Sequence, residues 1–200
     1  MPAGAKGWAK ESLDRLGDLG CDLLEVDPEE LWRGQLRMEL EALAAVNHQL
    51  EVLGKKLDVL AARDDRCRRL MTIPGVGPRL SEAVVAVIDD PHRFSTGRQV
   101  GSYGGLAPRR YQSGQSDRQG RISRMGNGLL RSLLVEVAWI GLRYNTWMRG
   151  VYESVRRGSK ARKKTAIVAV ARRLLVLCWA ILQDGTVWRE PTPRTIQPAI

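Results

Sequence analysis

Residues 70–88 read LMTIPGVGPRLSEAVVAVI, and the fold class turns on them. The segment Ile73-Pro74-Gly75-Val76-Gly77-Pro78 cannot continue a helix, because its prolines lack an amide donor and its glycines disfavour helical backbone. The residues after Pro78 can form one. Leu80, Val84, Val87 and Ile88 recur at the spacing of one apolar helix face, and Asp89-Asp90-Pro91 closes it. Helix, Pro-Gly turn, helix is the pattern of a helix-hairpin-helix. In such a turn the glycines allow close backbone approach, and amides beside the second helix's N-terminus can meet a phosphate oxygen. Gly75 and Gly77, with Arg79 beside them, are therefore expected to anchor nucleic-acid backbone without reading bases. The alternative is an ordinary turn between packed helices.

Working upstream, Asp27-Pro28-Glu29-Glu30 is a helix start: an N-cap residue, proline at the first position and acids in the first turn. The helix it opens is expected to run to about Leu70. Leu36, Leu40, Leu43, Val46, Leu50, Leu53, Leu57 and Leu60 recur every three or four residues, strictly alternating four and three from Val46 onward. That narrow stripe predicts a coiled coil and a homodimer or higher oligomer through residues 36–60. Gly54 weakens the stripe, and an intramolecular helical hairpin would use it equally well. Residues 1–30 form a short acidic segment with little periodicity.

Downstream, a short helix is expected at about residues 96–103, and then the chain changes character. Residues 101–128 read GSYGGLAPRRYQSGQSDRQGRISRMGNG, with seven glycines, four serines, five arginines and Asp117 as the one acid. A loop this long in a compact domain usually binds or catalyses. Asn127 then caps a helix over residues 129–143, a basic linker spans residues 156–164, and an apolar helix over residues 165–183 is expected at the centre of the core. The fold class is thus mainly α, a long coiled-coil helix followed by a compact helical domain that holds the helix-hairpin-helix and the Gly/Arg-rich loop. The domain division is 1–30, 31–66 and 67–185, with the hairpin motif at 67–88 and the serine-bearing loop at 101–128. Residues 186–200, with three prolines, read as a flexible, unpacked tail.

Charge points to the partner. The formal net charge is +10, yet residues 1–60 hold seven Lys+Arg against twelve Asp+Glu, leaving 25 against 10 for the rest. The C-terminal two thirds therefore suit a polyanion. Arg109, Arg110, Arg118, Arg121 and Arg124 are the candidate phosphate contacts, and Arg131 continues the strip. Cys21, Cys67 and Cys178 lie far apart and, with two histidines, make no zinc spacing, so no metal site is expected. Two histidines and no G-x-S-x-G elbow exclude the usual serine hydrolase. The apolar run 166–182 carries Arg172 and Arg173 and falls short of a bilayer span, and no signal peptide stands out.

Ser113 sits between Arg109-Arg110 and Gly114 in the loop. A serine hydroxyl is a poor nucleophile unaided, but phosphoryl transfer offers a route in which arginines stabilise the charge on the non-bridging oxygens. Spacing alone leaves Ser113 as readily a loop serine bonded to its own backbone, and composition does not rank it above Ser102, Ser116 or Ser123.

The ordered set Thr72 to Gly77, Phe94, Tyr103-Gly104-Gly105-Leu106-Ala107-Pro108, Gln112-Ser113-Gly114, Gly120, Ile122 to Asn127 and Leu130-Arg131 resembles the C-terminal transposase domain of the insertion-sequence 110 (IS116/IS110/IS902-type) family. The resemblance runs from about residue 70 to 185, with the coiled coil looking more loosely like that family's dimerising linker. It implies a DNA recombinase in which the serine matching Ser113 attacks the DNA backbone and holds it as a phosphoserine linkage. Conserving the phosphodiester energy in this way lets strands rejoin without ATP. Family members also carry an N-terminal RuvC-like domain whose four acidic residues bind Mg2+ and complete a composite site, and a structured guide RNA directs them to DNA. Residues 1–30 show none of that domain's alternating strands. The expectation is therefore a truncated, split or decayed transposase of the prokaryotic cytoplasm and nucleoid, with Mg2+ bound only alongside the other half. The alternatives are a non-catalytic nucleic-acid-binding module and a dimerising protein that titrates a full-length transposase.

Overall fold

The computed structural model describes residues 8–113, 116–123 and 125–190, with only the backbone of Arg110 and of residues 116–119. The chain divides into two compact units, Met1–Lys56 and Leu57–Ile200.

In the first unit, α1 (Lys10–Leu19) and the turn after it fold back on the first half of α2 (Leu31–Arg63). Arg33 Nε donates to Leu19 O at 2.9 Å, and the Leu23 side chain lies over Gly34, where a Cβ would come within 2.5 Å of Leu23 Cδ1. Leu13 and Gly17 of α1 face Leu40, Leu43 and Ala44 of α2 across a shallow groove. The acidic N-terminal segment, read as weakly periodic, thus supplies a helix that half-covers Leu36, Leu40 and Leu43. Past them the stripe is open: Val46, Leu50 and Leu53 are more than half exposed.

The long helix stops at Arg63 rather than near Leu70. Asp64 takes extended backbone and accepts from Arg66 N at 2.8 Å, capping a new helix, α3 (Asp65–Met71). Its carboxyl is held below the usual range by the hydrogen bond from the Arg66 guanidinium.

The second unit is built around α8 (Lys163–Asp184), against which α3, α5 (Gly97–Tyr103), α6 (Gly128–Tyr144) and α7 (Thr146–Arg156) pack. Ala166, Val170, Leu174, Leu175 and Cys178 are enclosed on α8, and Leu70, Ile73, Leu80, Val84, Leu130, Leu134 and Met148 close over them. By length and composition the 160–184 segment could cross a bilayer, contrary to the sequence reading; the molecule uses its apolar faces as a core. Burial there pushes the Cys178 thiol up to about 12.

The turn after α3 leads into α4 (Pro78–Ile88) and is held from two sides. Gly75, at φ +96°, packs against Gly141 of α6, whose Cα would be 3.4 Å from a Cβ at this position. Buried Asn145, between α6 and α7, donates from Nδ2 to Pro74 O at 3.2 Å and accepts from Met148 N at 3.1 Å. Helix α7 has no counterpart in the sequence reading.

The segment expected as a long loop contains a two-stranded antiparallel sheet, β1 (Pro108–Ser113) and β2 (Ser116–Ile122). Within residues 186–190, expected to be unpacked, Trp188 is half-buried while the others are exposed: Trp188 N donates to Thr72 Oγ1 at 2.8 Å, its ring meets Trp147 edge-on at 5.7 Å, and Thr146 hydrogen-bonds Glu190. The remainder of that tail, 191–200, lies outside the described residues.

Candidate catalytic hairpin and nucleic-acid interface

The β hairpin is rooted at a crossing of two glycines. Gly105 (φ +69°) and Gly126 (φ +110°) face backbone so closely that a Cβ would lie 2.1 Å from Met125 O at the first and 2.2 Å from Tyr103 O at the second. Both positions combine left-handed backbone with contact against a carbonyl, so only glycine fits. Next to the crossing, enclosed Leu106 pins the entering chain to the core, and its amide donates to Gly101 O at 3.0 Å. Ser123 N donates to Ala107 O at 2.9 Å, which fastens the exiting chain to the entering one. Asn127 Oδ1 then accepts from Leu130 N at 3.1 Å and starts α6.

From this root the strands pair Arg110 with Gln119, Tyr111 with Arg118, Gln112 with Asp117 and Ser113 with Ser116, with an irregularity between Pro108 and Arg110. Arg109 lies within the irregularity, and its Nη2 donates to Ser123 O at 3.1 Å. Ser113 ends β1, exposed, its hydroxyl without a hydrogen-bond partner among the described residues. Two residues earlier, Tyr111 lies over Gly120, where a Cβ would be 2.8 Å from Cε2 of the ring. Successive strand residues alternate sides, so Tyr111 and Ser113 share one face of the hairpin.

The residues singled out in the sequence separate into groups. Arg109 and Arg121 are exposed on the hairpin with Ser113. Arg110 and Arg118 occupy its register by backbone, and Arg124 lies outside the described residues. The turn residues do not behave alike. Gly77 is the N-cap of α4 with open space around it, whereas Gly75 faces inward onto α6. Arg79 is already engaged, 3.2 Å from Asp58 and 3.3 Å from Glu82, which offsets its charge. Of the three expected phosphate anchors, Gly77 has open space around it, Gly75 is exposed with its α-carbon turned toward α6, and Arg79 is ion-paired at the surface with its side chain 42% exposed.

Among the described residues, no group of three or more His, Cys, Asp and Glu is placed to hold a metal ion. The hairpin's serine, glutamine and arginine positions do not fit a divalent cation, whose ligands are chiefly carboxylates and whose charge arginines repel.

Sequence reasoning missed the surroundings of the root. Tyr103 is 47% exposed, its ring 5.3 Å from that of Phe94, with the Arg93 guanidinium 4.6 Å from both centroids. Arg131, one turn into α6, has its Nη1 buried with no hydrogen-bond partner among the described residues. Its signal in the sequence was only its place in the arginine strip.

Known proteins carry the same segment. Residues 67–153 match the family described as Transposase IS116/IS110/IS902. Over 163 residues the chain is 31% identical to a "Probable family 20 transposase" of Pseudomonas aeruginosa, covering 78% of this chain and 46% of that protein. It is 32% identical over 143 residues to the transposase for insertion sequence element IS1111A of Coxiella burnetii, covering 68% and 38%. A pilin gene-inverting protein of Moraxella lacunata is 32% identical over 148 residues, covering 72% and 44%. The chain spans less than half the length of each of these relatives.

Proposed function

Because the chain belongs, through residues 67–153, to the IS116/IS110/IS902 transposase family, we propose that it takes part in DNA strand transfer with Ser113 Oγ as the nucleophile. The observation that supports this most directly is an exposed serine at the far end of a cationic hairpin, its hydroxyl without a hydrogen-bond partner among the described residues. Inversion and transposition, the activities that the relatives' names carry, both require strands to be cut and rejoined.

In this reading the Ser113 oxygen attacks a DNA phosphorus. The P–Oγ bond forms as the bond to one flanking deoxyribose oxygen breaks, and that oxygen departs as a hydroxyl, taking up the proton that the serine gives. A hydroxyl of a second strand reverses the step and returns the proton to Ser113, so the phosphodiester is conserved throughout. Arg110 and Arg118 stand nearer Ser113 in the strand register and neutralise the phosphate oxygens as charge builds on them, while Arg109, Arg121 and Arg124 hold the DNA backbone further along the strand. Gly77, at the start of α4, offers a backbone contact further along the duplex. The metal-binding carboxylates come from outside these residues, so the chain is one part of a composite site that works on the nucleoid in the cytoplasm. A structured guide RNA shares the basic surface.

Trapping on a nicked suicide duplex tests the assignment. The wild type, supplied with a RuvC-like half, is expected to give a detergent-resistant protein–DNA adduct, and Ser113→Ala none. An adduct that survives in the alanine variant removes Ser113 from the role. Salt-sensitive DNA binding without any adduct, even with the RuvC-like half present, supports the non-catalytic binding module instead.

A further inference from the structure

A recess of about 480 Å³ opens at the root of the hairpin, lined by Val87 of α4, Ser102 and Tyr103 of α5, Met125 of the exiting chain and Asn127, the cap of α6. We propose that it holds one unstacked nucleobase of the DNA strand, with the adjoining phosphate at the N-terminus of α6. The inference rests on the reading of the hairpin as a strand-transfer element and adds a second contact to it.

Four observations converge. The Tyr103 ring is half exposed and fixed from behind by Phe94 and Arg93, so it is ordered before any ligand arrives. An ordered aromatic face suits a base, because every base has a π face and stacking is indifferent to sequence. Met125, 70% exposed, supplies a polarisable apolar wall to the same recess. The polar side chains of Ser102 and Asn127 lie at its edge, and the Gly128 and Leu129 amides of the 17-residue α6 have no acceptor among the described residues. Behind the lining of the recess, Arg131 places its guanidinium beside Gly105 and near Gly128, with Nη1 buried and unpartnered among the described residues. Between Pro91 and Val135 the one acid is Asp117, so nothing else in the segment competes for these donors.

The recess is not the reacting centre. Five residue steps along β1 lead from Pro108 to Ser113, about 17 Å of extended chain. At roughly 3.4 Å per nucleotide along a stacked strand, the captured base lies several nucleotides from the phosphate being attacked. Such a contact would fix the strand's register on the hairpin.

Photocrosslinking of the full chain with single-stranded DNA containing 4-thiothymine tests this, followed by trypsin. Cleavage after Arg98, Arg109, Arg124 and Arg131 releases Tyr103 and Met125 in two short peptides, 99–109 and 125–131. These two are expected to carry the crosslink. Crosslinks confined to other peptides overturn the proposal, and crosslinking of these two by 4-thiouracil RNA but not by DNA overturns the DNA assignment. A second measurement compares oligothymidylate with an abasic strand of equal length. Wild type is expected to prefer the base-bearing strand about tenfold, in line with one or more stacked bases, and Tyr103→Leu to lose that preference while binding the abasic strand equally well. A preference that Tyr103→Leu retains in full also overturns it. Ser113→Ala is expected to leave both results unchanged, so loss of the covalent adduct and loss of the base contact are separate failures.

Discussion

Cys178 and Cys67 are thiols that the fold makes unreactive. Burial raises both, Cys178 to about 12, so the folded state disfavours their thiolates. Their contribution to stability is therefore full below the ordinary thiol pKa of about 8.5 and declines as pH rises past it. At pH 8 the native protein should release colour from a disulfide reagent promptly at one thiol, half-buried Cys21, and at the other two only as it unfolds. Three equally prompt thiols would contradict the enclosed core. Composition hinted at none of this beyond three widely spaced cysteines. Ser113 shows the same limit from the other side. Its residue type is common in loops, and what distinguishes it in space, the end of a strand over a cationic ribbon, depends on partners in another strand. Only the ordered motif around it singles it out as a candidate.

At the scale of elements, the helices with clean apolar periodicity were readable, and the elements held by polar contacts were not. Strands β1 and β2, PRRYQS and SDRQGRI, have no alternating apolar face, because neither face of the ribbon covers a core. The Asp64 break was hidden because a single cap interrupts an otherwise continuous helical composition. Helix α7 was hidden behind Asn145, which looks like an ordinary polar residue but closes one helix, caps the next and tethers the Pro74 turn. Its replacement separates these roles from surface effects. Asn145→Ala should lose about 2 kcal/mol from the combined loss of a cap and a buried hydrogen bond, read as a lower urea midpoint with unchanged slope. Asn145→Asp keeps the capping oxygen and should recover part of that loss. An alanine variant as stable as wild type would mean the turn is held without the tether.

For the whole molecule, the leucine stripe gave helix α2 but not its dressing. Its first part is half-covered by α1 within the same chain, while the later part, from Val46 to Leu60, stays exposed. The open part is where association between copies is expected, since a continuous apolar strip on a surface helix is stabilised by a second helix laid along it. Leu50→Glu with Leu53→Glu should reduce the mass measured by sedimentation equilibrium to that of a monomer without loss of helical signal, because both side chains lie outside the core. A wild type that already sediments as a monomer, or a variant of unchanged mass, would remove the stripe from that role. The acidic and basic portions of the sequence fall largely in different units: helix α1 lies in Met1–Lys56 and the arginine-bearing hairpin in Leu57–Ile200.

The crossing of Gly105 and Gly126 also bears on inheritance. Every missense change of a glycine codon introduces a side-chain carbon, and at these two positions any such carbon meets a carbonyl oxygen near 2 Å. The helical core, by contrast, accepts many exchanges among apolar residues. Under random substitution the hairpin root is therefore lost sooner than the helical packing around it, and stable descendants would persist without an ordered hairpin.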